Sequence, residues 1–304
     1  MPSSPSTSVA ATLRSFRAPG AWAARDALLL FGLRACALLS GVVLLLIVVF
    51  VVGESWPALR EIGPARFLGD RGWHPVGGTG SFGLGPMVLA TLLSSFGAIF
   101  LATLVGVGCA VWCQFYAGLR AAGAVRRIVE LLAGIPSVVY GLWGLVVLVP
   151  LLLQIAPPGQ NLLAGILILA IMILPTVALF ADAALSAVPA HTIAGARALA
   201  LPRHVIAWRI AVPAARGGIT TAVLLAAGRA IGETMAVLMV CGNVVQMPSS
   251  LFDPVRTLTA NIALEMGYAL ADHRSALFVS GLLLLALVAA LVLGANRVRG
   301  VGRV

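Results

Sequence analysis

The sequence predicts an all-α integral membrane protein built on six transmembrane helices. Residues of the apolar set make up 61% of the chain and charged residues 10%, against roughly a quarter charged in soluble globular domains. Several uncharged or nearly uncharged runs exceed the ~18 residues at which a membrane span becomes the default reading. Most of the arginines fall between those runs.

The expected spans are 28–52, 86–112, 128–153, 161–185, 219–242 and 275–295. Each is long enough to cross about 30 Å of hydrocarbon at about 1.5 Å per residue, some with tilt. The first follows a polar tail with Arg14, Arg17 and Arg25, the flank of a secretory signal. Its apolar stretch is much longer than a signal core of ~7–15 residues, and no small-residue cleavage pattern closes it. It reads as a retained anchor.

Arginine placement orients the spans. The tail, the loop with Arg120, Arg126 and Arg127, the loop with Arg197, Arg203, Arg209 and Arg216, and the C-terminus with Arg297, Arg299 and Arg303 hold thirteen. The alternate connections hold five: Arg60, Arg66, Arg71, Arg256 and Arg274. Both termini are therefore expected in the cytoplasm, with a tail at 1–27, a transmembrane domain at 28–296 and a second tail at 297–304.

Of the connections, 53–85 and 243–274 read as external segments without a long helix, the first being rich in Gly and Pro. The cytoplasmic connection at about 187–216 is longer than a turn requires and carries a helical pattern in ARALALPRHVIAWRIAVP. It reads either as an amphipathic helix on the membrane surface, anchored by Trp208 and arginines, or as a docking element for a soluble partner.

The formal net charge of +10 comes from scattered arginines, with no Lys in the chain and no basic stripe interleaved with aromatics, so nucleic acid is not an expected partner. Cys36, Cys109, Cys113 and Cys241 all lie in apolar runs. Cys109 and Cys113 share a helix face, but no His lies nearby to complete a ligand set. They read as small buried hydrophobes, and no metal or other cofactor is expected.

Within the fifth span, GRAIGETMAV places Arg229 about 15 Å along the helix, near the bilayer midplane, with Glu233 at i+4 on the same face. An ionised residue at that depth costs ~2.5–3.5 kcal/mol even on the mildest insertion scale, so the pair is expected to face the bundle interior or an aqueous cavity. The two either neutralise each other and fix one packing, or Arg229 offers its donor fork to an oxyanion while Glu233 limits the grip. Pro136 and Pro175 are candidate kinks, and Gly134, Gly141 and Gly144 candidate close-packing positions. Asp182, near the cytoplasmic end of the fourth span, is expected to cap or pair.

The loop ending at Pro213 resembles the element by which permease subunits of ATP-binding cassette importers engage their ATPases. Anchored on Pro213, the family's Glu-Ala-Ala positions fall on Ala194, Gly195 and Ala196, and its glycine on Ala200, so both acid and glycine are replaced. AGIPSVVYGLWGL, ILPTVALFADAALSAVP and GRAIGETMAVLMVCGN, with Trp73, Pro75, Phe82, Gly83, Pro86 and Thr91, resemble the membrane subunits of the high-affinity phosphate importer, of the PstC type in preference to the PstA type.

The resemblance implies a type I ABC importer permease in a bacterial inner membrane, with Arg229 and Glu233 in the phosphate pathway, where Thr234 is a candidate for an added hydrogen bond. It also implies a second, PstA-type permease subunit, a cytoplasmic PstB-type ATPase dimer and an external PstS-type phosphate-binding protein. No phosphate-binding loop of the Gly-x-x-x-x-Gly-Lys type exists in the chain, so ATP hydrolysis is expected on those partners. Importers of molybdate or phosphonate, a self-sufficient anion channel or ion-coupled carrier, and a sensing or assembly subunit are the competing readings.

Overall fold

A computed structural model describes residues 19–70, 72–75 and 80–301. Arg14, Arg17, Arg71 and Arg303 lie outside the described residues. The chain forms two compact units, Met1–Gly53 and Glu54–Val304. The first is the greater part of α1 (Pro19–Glu61), whose side chains such as Leu28, Phe31 and Leu45 stay exposed, as in a helix solvated by lipid.

The second unit begins with the end of α1. A short helix α2 (Pro64–Gly69) and a hairpin of β1 (Trp73–His74) and β2 (Ser81–Phe82) lead into α3 (Gly85–Phe115). Then come α4 (Leu119–Ala133) and α5 (Ser137–Leu153), followed by α6 (Leu162–Ser186) and α7 (Ala190–Ala198). Helix α8 (Arg203–Ala214) leads into α9 (Arg216–Ile231) and α10 (Met235–Val240), and the chain closes with α11 (Leu258–Glu265) and α12 (Ala271–Val301).

Four helices are long and apolar enough to cross a membrane, and six spans result if each of two bent pairs counts as one. Helices α4 and α5 meet at 95°, and α8 and α9 at 71°. The third expected span is therefore corrected. Pro136 has no N–H to give and pushes Ile135 out of the helical region, while α4 carries Arg120, Arg126, Arg127 and Glu130 and turns aside as an amphipathic helix. If the bent pair counts as one span, its apolar arm is the 17-residue α5, about 26 Å long.

Helices α3 and α6 form the core, running side by side with small residues between them. Ala90, Ala98, Ala102 and Ala110 are buried on α3, and Val177 lies against Gly106. Association in lipid depends on such close approach, since hydrocarbon removes the hydrophobic drive between helices. Gly141 of α5 fits this expectation: a Cβ there would stand 2.9 Å from Ala236 Cα of α10. Gly134 does not, because it ends α4 and meets only the Leu131 carbonyl at 3.5 Å. Pro175 stays within an unbroken α6.

At the hairpin end, the segment 243–274 has no long helix, as expected, but it is ordered and packed. It contains the buried helix α11, with Leu258, Ala260 and Asn261 almost fully enclosed. Thr257 caps it, its hydroxyl accepting from the Ala260 N–H at 3.2 Å. Another hydroxyl repairs α1, where Ala58 N–H donates to Ser275 Oγ at 3.1 Å and Ser275 donates to the Glu54 carbonyl at 2.7 Å. Ser275 thus enters the backbone ladder beside Pro57.

Candidate functional site

The fifth expected span is not one helix. Helix α9 stops at Ile231, Gly232 to Thr234 are non-helical, and α10 starts at Met235. The i, i+4 relation between Arg229 and Glu233 therefore fails, because the helix that would define a shared face ends between them. No ion pair joins them among the described residues.

Glu233 is used at both ends. Its carboxylate accepts the Ala236 N–H at 3.2 Å, meeting one of the free donors that open α10. Its carbonyl, outside either helix, accepts the Thr259 hydroxyl at 2.7 Å. Thr234 donates to the Gly232 carbonyl at 3.3 Å within the break. Arg229, one turn before the break, is half-buried and makes no hydrogen bond or ion pair with another described residue. Tyr140 of α5 lies within electrostatic reach of it and donates its hydroxyl to the Leu132 carbonyl at 2.8 Å.

A six-residue helix such as α10 is too short to stand alone. Its last carbonyls are met from outside: Leu238 by Asn243 Nδ2 at 2.7 Å, Met239 by Gln160 Nε2 at 2.9 Å, and Val240 by the Asn161 N–H at 3.1 Å. Two broken spans thus meet where α10 packs on α5. Discontinuous helices of this kind bring helix ends, with their partial charges and free backbone groups, to mid-membrane depth.

Opposite the hairpin end, α7 carries Ala194, Gly195 and Ala196, and Pro213 lies in α8. The end of α7 is a complete Schellman turn, Leu201 N–H to the Ala196 carbonyl at 3.3 Å and Ala200 N–H to Arg197 at 2.9 Å. Ala200 stands at φ 51, the left-handed position that favours glycine, which accounts physically for the glycine of the resembling loops. A cavity of about 500 Å³ lies beside this turn, lined by Gln114, Tyr116, Arg197, Ala200 and Arg203 among others. Asp182, at the same end, pairs with Arg126 as anticipated.

At the hairpin end a buried cluster escaped sequence reading. Glu265 accepts from Trp73 Nε1 at 2.6 Å and pairs with Arg256 Nη1 at 2.7 Å and His273 Nε2 at 2.8 Å. Arg256 also donates to Asn261 Oδ1 and to the Asn243 carbonyl. The Thr257 cap ahead of the helical pattern LTANIALE signals α11, but the Trp73–Glu265 contact spans 192 residues and no local pattern marks it. Among the described residues no group of three metal-ligating side chains occurs.

The description "Binding-protein-dependent transport system inner membrane component" matches residues 102–298. The chain belongs to this family. Among its relatives this permease is 36% identical over 296 residues to the phosphate transport system permease protein PstC of Mesorhizobium japonicum, covering 90% of this chain and 88% of that one. It is 34% identical to the probable ABC transporter permease protein YqgH of Bacillus subtilis, covering 83% of each chain. It is 33% identical to PstC of Haemophilus influenzae, covering 82% of this chain and 84% of that one. In fold it resembles the inward-facing MetNI methionine ABC transporter, at a TM-score of 0.55, 21% identity and coverage of 69% of this chain and 91% of that one. The permease is thus an inner-membrane component with the type I importer fold.

Proposed function

We propose that this permease carries inorganic phosphate across a bacterial inner membrane, forming the pathway with a second permease subunit. The observation that carries the reading is the 36% identity to a phosphate permease along nine-tenths of the chain. Arg229 supplies the chemistry: a half-buried guanidinium, unpaired within the described residues, beside a helix break that exposes backbone to the pathway. An arginine fork matches phosphate oxygens in geometry, and with no carboxylate clamped on it the fork is free to engage and release them.

The arginine distribution supports a hairpin end that faces outward and termini in the cytoplasm. Helices α7 and α8 and the adjoining cavity form the face offered to a separate ATPase dimer, while a phosphate-binding protein delivers its cargo at the hairpin end. Residues 28–296 make up the working permease, with tails at 1–27 and 297–304.

Replacing Arg229 by Ala tests the pathway. Phosphate uptake by cells carrying the otherwise complete transporter is expected to fall at least about a hundredfold, with the complex still assembled, and Arg229→Lys to recover only part of it. Wild-type uptake by a stably assembled Arg229→Ala transporter would reject Arg229 as the oxyanion group.

A further inference from the structure

We propose that Thr259 is a positioning residue for phosphate translocation, holding the break at Glu233 in register with the outward hairpin through α11. The inference rests on the reading that this break lies on the phosphate pathway.

A carbonyl that leaves one helix before the next begins has no backbone partner of its own, and in a water-poor interior it must find one. Glu233 finds it in Thr259, which is buried at 5% exposure. A hydroxyl has one proton to give. Thr259 commits it to Glu233, so in its 3.1 Å contact with Thr257 it is the acceptor. Thr257 in turn accepts the Ala260 N–H, which makes an ordered relay from the α11 backbone through two hydroxyls to the break.

The N-terminal end of α11 is fixed to the core as well, since the Leu258 N–H donates to Thr91 Oγ1 at 3.0 Å. Its other end is Glu265, whose carboxylate binds Trp73 of the hairpin together with Arg256 and His273. From Thr259 to Glu265 the helix is rigid and about 9 Å long. Every joint between Trp73 and Glu233 is therefore a short hydrogen bond or a helix. A displacement of the hairpin has no slack in which to dissipate before it reaches the break. Thr259 touches the Glu233 backbone and not its carboxylate, so it governs where the break sits and leaves the charge there unchanged.

The test compares Thr259→Val, which keeps the shape and removes the hydroxyl, with Thr259→Ser, which keeps the hydroxyl, in the complete transporter in cells. Thr259→Val is expected to lower maximal phosphate uptake about tenfold with an unchanged half-saturating concentration, and Thr259→Ser to stay within about twofold of wild type. Trp73→Phe, which retains a ring but loses the Nε1 donor, is expected to show the same split.

Equal impairment of the Val and Ser variants would make Thr259 a packing residue and overturn the proposal. So would a Val variant that changes only the half-saturating concentration. If Thr259→Val does not accumulate, Trp73→Phe decides: lowered maximal uptake at constant half-saturation supports the relay, and wild-type kinetics overturn it. Arg229→Ala is measured in parallel. Normal uptake there defeats the pathway reading, whereas an inactive Arg229→Ala beside a fully active Thr259→Val defeats only the relay.

Discussion

Arg126 grips Asp182 through two parallel hydrogen bonds, from Nε at 2.8 Å and from Nη2 at 3.0 Å, while Gln114 donates to the same carboxylate at 2.9 Å. Three helices, α3, α4 and α6, are thereby joined at one carboxylate. A two-pronged, partly sheltered pair is worth more than an ordinary surface bridge, although solvent at Arg126 tempers it. Arg126→Met and Asp182→Asn should each lower stability, and the double variant should cost about 1 kcal/mol less than the two singles added together. Thermal unfolding of the four proteins in one detergent measures that coupling.

Ala200 should be improved by the residue it lacks. Its left-handed backbone burdens any side chain, so Ala200→Gly is expected to stabilise the α7–α8 turn by roughly 1 kcal/mol and Ala200→Val to destabilise it. The unfolding midpoints of the two variants should move in opposite directions from wild type. A lower midpoint for the glycine variant would contradict the φ assignment.

Gly141 offers a steric prediction. A methyl group there meets Ala236 Cα and Met239 Sδ, both at 2.9 Å, and the first is backbone that cannot swing aside. Gly141→Ala should therefore cost about 1–3 kcal/mol by forcing α5 away from α10. Gly123→Ala, on the open side of α4 with nothing within 4 Å of the new methyl, is the control and should be neutral or slightly stabilising.

The turn at Asp253 gives a pH dependence. The Ser249 hydroxyl, then the Ser249 and Ser250 N–H groups, hold the Asp253 carboxyl below its ordinary value of 3.8. Because the folded value is the lower one, the stabilisation is complete above 3.8 and is lost as pH falls through the folded value. This turn presents the Leu251 and Asp253 carbonyls to the first N–H groups of α6. Hydrogen-exchange protection of Leu162 and Leu163, corrected for intrinsic rates, should stay level from neutral pH to about 5 and decline only in stronger acid. Asp253→Asn should lower it throughout and remove the pH dependence.

The apolar runs made the spans legible because lipid imposes length and composition on whatever crosses it. Pro136 announced a kink, yet the size of the turn at α4 depends on how its charged face meets its surroundings, which no single residue encodes. Gly232, Glu233 and Thr234 are a local mark of a helix end, but the apolar run that resumes at Met235 makes the stretch read as one span. The Glu233 carbonyl at the break finds its partner in Thr259, 26 residues further on. The charged cluster around Glu265 was hidden for the same reason, since its members come from segments that meet only in the folded chain. At Ala200 the sequence comparison noted a missing glycine, and the backbone angle explains why one had been expected.

The absence of an ion-pair partner for Arg229 among the described residues has a consequence for membrane leakage. On the proposed pathway, an uncompensated fixed positive charge lowers the electrostatic barrier for an oxyanion and raises it for protons and sodium ions, the same physics by which a single arginine screens cations from a water pore. On that proposal, opening to phosphate does not short-circuit the proton gradient. Had Glu233 neutralised that charge, the proposed pathway would lack this discrimination against cations.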